Sequence, residues 1–234
     1  MRISVIIPTY NEVSTISALV EHLEANRTHQ LVEILVADGG STDETCRLAQ
    51  QAGAHVLVAP LRGRAQQMNF AASKAQGDVL YFVHADTIPP ATYLTDIQQA
   101  VEADFSAGCY RSCFRSSNPL LRVNSYCTRF DRLMCRGGDQ TLFVTKDLFC
   151  RVGGYDSCYV VMEDFDFIRR IQQLARFRII PKDASVSARK YDHNSYWMVT
   201  LANLIVLTMF RWGYPSQTLL RTYKRLIYYP KYQD

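Results

Sequence analysis

Short apolar runs alternate with helical patterns through the first half of the chain. Ile3 to Ile7 is continuous and rich in β-branched residues, which predicts a strand buried on both faces. Ile16, Leu19, Val20 and Leu23 follow at i, i+3, i+4 and i+7, one face of a helix. Val32 to Val36 predicts a second strand, and Ser41 with Glu44 resembles a capping box that would open the next helix. His55 to Val58 predicts a short third strand. Ala65, Met68, Ala72 and Ala75 suit a helix face, and Val79 to Val83 predicts a central strand ending in His84-Ala85-Asp86. Leu94, Ile97 and Val101 mark a helix entered through Pro89-Pro90.

The second half is less regular. Ala107 to Phe114 and Thr141 to Val144 predict strands, with Leu120 to Met134 as a helix between them. Gly137-Gly138-Asp139-Gln140 reads as a turn. Glu163-Asp164 opens a helix carrying Phe167, Ile168, Ile171 and Leu174, and Phe177 to Ile180 predicts a further short strand. The alternation predicts an α/β domain with a mostly parallel sheet flanked by helices over residues 1–195, and a C-terminal helical tail over 196–234. The uncharged run Ser195 to Phe210 is shorter than the roughly twenty residues that span a bilayer. Trp197 and Trp212 near its ends, with Arg211, Arg221, Lys224 and Arg225 beyond, suit a helix lying in a membrane interface; a helix packed on the domain or in a dimer fits equally.

Composition narrows the class. At 48% hydrophobic and 21% charged residues, the chain is globular rather than disordered. A net charge of +4, with no nucleic-acid motif or dense basic stripe, excludes an evident nucleic-acid partner but suits an anionic ligand. Seven cysteines at irregular positions without a C-x-x-C pair, and no visible secretory signal, predict reduced thiols and a cytoplasmic protein.

The chemistry gathers at the ends of the predicted strands, where open parallel sheets bind ligands. Pro8-Thr9-Tyr10-Asn11-Glu12 follows the first strand, Asp38-Gly39-Gly40-Ser41 the second, Arg62-Gly63-Arg64 the third and Asp86 the fourth. Asp38 can accept a base N–H or close an Asx-turn. Glu12 can accept from ribose hydroxyls or favour a helix N-terminus. Arg62 or Arg64 can stack on a base, meet a phosphate or sit in a solvated loop. Neither G-x-G-x-x-G after the first strand nor a P-loop occurs.

Together with Gly137-Gly138-Asp139-Gln140 and Glu163-Asp164, these motifs resemble the family 2 glycosyltransferases, over roughly residues 1–195. More narrowly, they are similar to the transferases associated with radical-SAM/selenodomain proteins. The resemblance implies a GT-A fold, a nucleotide-diphosphate sugar donor, a divalent metal (Mn²⁺ or Mg²⁺) and inversion at the anomeric carbon. It implies that Pro8, Thr9, Glu12, Asp38, Arg62 or Arg64 hold the nucleoside, and that Asp86 binds metal and diphosphate. Asp164 would be the base, with Glu163 orienting its neighbours, and Gly138, Asp139 and Gln140 would border acceptor and donor sugar.

The family's Asp-x-Asp is here His84-Ala85-Asp86, so the leading carboxylate is missing. His84 then reads as a nucleoside-side or structural residue. His193 is a candidate second metal ligand or a surface histidine, and Arg189 and Lys190 are candidate phosphate clamps or solvated cations. The acceptor is unspecified, and the tail allows a lipid-linked one at the inner face of the membrane. A nucleotidyltransferase, which would want a Gly-rich basic loop after the first strand, is one alternative. A non-catalytic nucleotide-sugar binding or membrane-recruited module is the other.

Overall fold

A computed structural model describes residues 1–132, 135–136 and 140–228. The central sheet has eight strands in the order β3-β2-β1-β4-β7-β6-β8-β5. These are β1 (Ile3–Thr9), β2 (Leu31–Asp38), β3 (His55–Val58), β4 (Val79–Phe82), β5 (Thr87–Ile88), β6 (Ala107–Arg115), β7 (Leu142–Thr145) and β8 (Phe177–Ser187). β1 pairs in parallel with β2 and β4, β2 with β3, and β6 with β8. β7 runs antiparallel to both β4 and β6, and β5 antiparallel to β8. Because β7 reverses between them, β4 and β6 point the same way. β1, β2, β3, β4, β6 and β8 therefore deliver their carboxyl ends to one edge, while β7 brings its amino end there.

β1, β2 and β4 are covered on both faces, which is why they read as near-continuous apolar runs. One core cluster packs Ile3, Val5, Ile7, Ile34 and Val36 against helices α1 (Ile16–Ala25), α2 (Thr45–Gln51) and α4 (Tyr93–Glu102). The alternate strand positions Ile6, Leu35 and Leu80 pack against α3 (Arg64–Lys74), α6 (Lys146–Val152) and α7 (Glu163–Leu174). The predicted α1 face is buried in full at Ile16, Leu19, Val20 and Leu23.

Several boundaries differ from the sequence pattern. The Ser41/Glu44 capping box does not form: α2 starts at Thr45, and Ser41 hydrogen-bonds Asp38 instead. Asp43 takes up the start of α2, accepting from the Thr45 amide at 3.0 Å. Helix α5 (Pro119–Cys127), capped by the Asn118 side chain, stops well short of Met134, which lies outside the described residues. β8 extends to Ser187 rather than stopping at Ile180, because β6 pairs with it along nearly its whole length. Leu174, expected on the α7 face, is exposed.

The tail forms two helices, α8 (Tyr196–Arg211) and α9 (Ser216–Leu226), and Ser195 caps the first. Val206 and Phe210 of α8 and Leu219 of α9 share a small core with Val161 and Met162, just before α7. Val199, Ala202 and Ile227 form a second one near Tyr191. Among the described residues, no helix is long and apolar enough to cross a membrane.

Gly108 sits where β6 closely approaches β8 and Phe143 of β7. A Cβ there would lie 2.3 Å from the Arg178 carbonyl oxygen and 2.6 Å from Phe143 Cε1. Neither the β8 backbone nor the buried ring can move away cheaply. Gly108→Ala is expected to lower unfolding free energy by about 1–3 kcal/mol in a urea titration, as overpacking does elsewhere.

Candidate active site

The edge fed by the strand ends is built first by backbone satisfaction. Gln67, buried on α3, donates from Nε2 to the carbonyls of Thr9 and Ala37, both at 2.7 Å. It thereby ties the ends of β1 and β2 to one helix, and satisfies carbonyls that would be costly to leave unpaired. A side chain at Gly39 would come within 3.0 Å of Gln67 Oε1, so the small residue makes room for this glutamine. The loops after β1 and β2 are stitched directly. The Asn11 amide donates to Ser41 Oγ (2.9 Å), the Thr42 amide to Asn11 Oδ1 (2.9 Å) and the Glu12 amide to Thr45 Oγ1 (2.8 Å).

Asp38 belongs to this scaffold. Oδ2 accepts from the amides of Gly40 (2.9 Å) and Ser41 (2.8 Å), while Oδ1 accepts from Thr9 Oγ1 (3.3 Å) and the Ser41 hydroxyl. A carboxylate offers about four lone-pair sites, so it can satisfy several loop donors at once. Of the two roles open to it, the structure shows the Asx-turn. Pro8 and Thr9 are buried at the end of β1, in register with Ala37 and Asp38. Arg62 stacks its guanidinium over the Tyr10 ring at 3.6 Å, joining the loops after β3 and β1.

A compact charge cluster sits beside this scaffold. Arg189, just past β8 in a 3-10 turn, donates to Glu12 Oε2 at 3.0 Å and to Asp86 Oδ2 at 3.2 Å. Burial disfavours the charged guanidinium, but Glu12 and Asp86 outweigh it and hold Arg189 more firmly protonated. Arg115 and the Ser187 amide bond the Asp86 carbonyl at 3.1 and 3.2 Å, fixing the segment that carries the carboxylate. His84 Nε2 stands 3.9 Å from Asp164 Oδ2. Burial pushes the His84 imidazole down to about 3; the charge of Arg64 adds to this and that of Glu12 opposes it. That direction favours the neutral imidazole at physiological pH, beside the expected base.

Glu163 and Asp164 open α7, and Asp166 joins them in a buried acidic first turn. The helix dipole favours acids there. Arg64 Nη1 donates to Glu163 Oε1 at 3.2 Å, and Arg169 and Arg170 hold Asp166 at 3.1 and 2.7 Å. Burial raises the Glu163 carboxyl above its usual range, with Arg64 opposing the rise. The preceding Met162 takes a left-handed backbone, φ 70°, which costs a non-glycine residue about 1–2 kcal/mol. Its side chain packs in the core shared with α8 and α9, which holds the strained joint in place. Neither Gln67 nor Met162 was among the sequence candidates. Both act by position, and neither residue type signals that in a sequence.

Other candidates lie apart. Lys190 turns away from Arg189: its Nζ is 3.5 Å from Asn203 Oδ1 and sits over the Tyr223 ring, so its partners are on the tail. His193 is exposed and sets its ring edge-on against Tyr228. Gln140 is buried and accepts from Arg136 at 3.3 Å; Gly138 and Asp139 lie outside the described residues.

A metal can be tested against this arrangement. Among the described residues there is no group of three or more His, Cys, Asp or Glu side chains able to hold one. What the cleft offers is one half-buried carboxylate, Asp86, whose surroundings already favour a cation, namely Arg189. That set fits an ion shared with a ligand's phosphates, as Mg²⁺ commonly is, and does not fit an all-protein cage.

Replacing Arg64 by alanine leaves Glu163 buried without this counter-charge, and the Glu163 carboxyl is expected to rise further. Arg64 is 39% exposed, so the cost at neutral pH is about 1–2 kcal/mol, below that of a fully buried pair. A raised acid is tolerated when protonated. The deficit should therefore be largest near about pH 8 and shrink toward about pH 4, read by urea titration at both. An unchanging deficit would disconnect Glu163 from the effect.

Comparison with known proteins places this geometry. The family model described as Glycosyl transferase family 2 matches residues 4–155. Glycosyltransferase AglJ of Haloferax volcanii is 42% identical over 64 residues, 27% of this chain and 20% of that protein. Glucosyl-3-phosphoglycerate synthase of Mycolicibacterium smegmatis is 33% identical over 96 residues, 38% of this chain and 32% of that one. The chain thus spans less than a third of either relative. Among solved structures, mannosyltransferase PcManGT from Pyrobaculum calidifontis, in complex with GDP-Man and Mn²⁺, superposes with a TM-score of 0.69 at 19% identity, covering 96% of this chain and 69% of that one. At that identity the likeness carries the fold alone.

Proposed function

The chain belongs to glycosyl transferase family 2 and has the GT-A fold, and on that premise we propose that it is an inverting transferase. It would move a sugar from a nucleotide-diphosphate donor to an acceptor hydroxyl. The observation that carries this reading is the meeting of Glu12, Asp86, His84, Asp164 and Arg189 at one edge, from the ends of β1, β4 and β8 and the start of α7. The narrower likeness to the radical-SAM/selenodomain-associated transferases rests on the same motif set.

In this reading the Arg62–Tyr10 stack and the stitched loops after β1 and β2 form the nucleoside wall, with Glu12 at the ribose. Asp38 shapes that wall through its own turn. Arg189 turns from the carboxylates to the diphosphate. A divalent cation held by Asp86 and the donor's phosphates would neutralise charge developing on the leaving group; PcManGT was solved with Mn²⁺.

Asp164 accepts the proton from the acceptor hydroxyl as its oxygen bonds the anomeric carbon and the bond to the diphosphate breaks. His84, 3.9 Å from Asp164 and neutral, adds no competing charge beside it. Glu163 stays tied to Arg64 and keeps the first turn of α7 fixed.

Two variants test the assignment. Asp164→Asn should lower transfer by at least about a thousandfold while thermal stabilisation by the donor survives; near-normal turnover would remove Asp164 from the role. Asp86→Asn should abolish the part of donor-induced stabilisation that depends on Mn²⁺ and keep the metal-free part. Equal stabilisation by donor with and without Mn²⁺ in the unaltered protein would show that no metal is used in binding.

A further inference from the structure

We propose that α5, α8 and α9 form a docking face for an anionic lipid bilayer, with α8 lying in the plane of the interface. Helix α8 buries Val199, Ala202, Val206 and Phe210 against the rest of the protein and leaves the opposite side to solvent. That side carries Trp197, Leu201 and Leu204 at i, i+4 and i+7, with Trp212 at its far end; the two tryptophans are 69% and 74% exposed. The patch continues onto α5. Tyr196 donates to Asn124 Oδ1 at 2.9 Å, so the first turn of α8 abuts the helix that exposes Val123 and Tyr126, with Phe130 just beyond it. Large exposed side chains on two adjoining helices are more than the scattered apolar residues of an ordinary surface.

Charge selects the occupant. From Asn194 to Tyr228 the sequence has no acidic residue, and Arg211, Arg221, Lys224 and Arg225 are exposed there. Arg122 and Arg129 are exposed beside the apolar residues of α5. A second copy of the chain meeting this face about a two-fold axis would bring like charges together. An anionic surface attracts all of them, and tryptophans at both ends of an amphipathic helix suit the headgroup level. At 16 residues, α8 can lie in an interface and cannot cross one. The face also adjoins the cleft. Tyr191, which packs on Tyr196, is two residues from Arg189, so an acceptor carried in the bilayer would meet the site at its edge.

The protein's two tryptophans are both on this face, which makes intrinsic fluorescence a direct reporter. Titration with vesicles of phosphatidylcholine containing phosphatidylglycerol should shift the emission to the blue, and added salt should reverse the shift. Vesicles of phosphatidylcholine alone should give little change. Leu201→Glu with Leu204→Glu should abolish partition, and Lys224→Glu with Arg225→Glu should weaken it roughly tenfold or more. Both variants should keep the circular dichroism spectrum, the melting temperature and the donor-induced thermal shift of the unaltered protein, since none of these residues lies in the cleft. No shift with either vesicle, equal shifts with both, or unaltered binding by the glutamate variants would overturn the proposal. So would a dimer in sedimentation, without lipid, that Leu201→Glu with Leu204→Glu dissolves. Loss of donor binding in every protein, with vesicle binding intact, would count against the transferase reading alone.

Discussion

Carboxylates collected at the edge of a sheet must be compensated where they are buried, and the cleft is arranged around that requirement. Glu12 and Asp86 come from loops after different strands and repel each other unless a cation stands between them. Arg189 supplies it, from the far end of β8. Glu163 is answered in the same way by Arg64, across from α3, and Asp166 by two arginines of its own helix. The Arg189 and Arg64 pairings link segments distant in sequence, so the same electrostatics also hold the walls of the cleft together.

The sheet's direction explains how these partners find each other. β6 and β8 point the same way as β1 and β4, so Arg189 emerges beside Asp86 although 103 positions separate them.

Periodicity made the first half of the fold legible, because β1, β2 and β4 are buried on both faces and α1 has one clean apolar stripe. The motifs after those strands marked the rim for the same reason: loops at strand ends are where polar residues are not needed for packing. Other features were set by partners far away in the chain. The length of β8 depends on β6, and the short α5 and the two-residue β5 carry little pattern of their own. Asp38 had two chemically sound roles, and the Asx-turn became visible only with the amides of Gly40 and Ser41 in place. Lys190 next to Arg189 looked like a second clamp, yet adjacent residues in a tight turn point different ways. Gln67 fills a need that belongs to two backbone carbonyls, so its role appears only when the strands are in place.

Met162 gives the tail a reach beyond its own surface. The residue's left-handed backbone is held from behind by Val206, Phe210 and Leu219, and it aims the first turn of α7. A chain shortened before α8 in the hope of better behaviour would free that joint to relax. The polypeptide would keep its sheet, yet Glu163, Asp164 and Asp166 would meet the cleft at another angle.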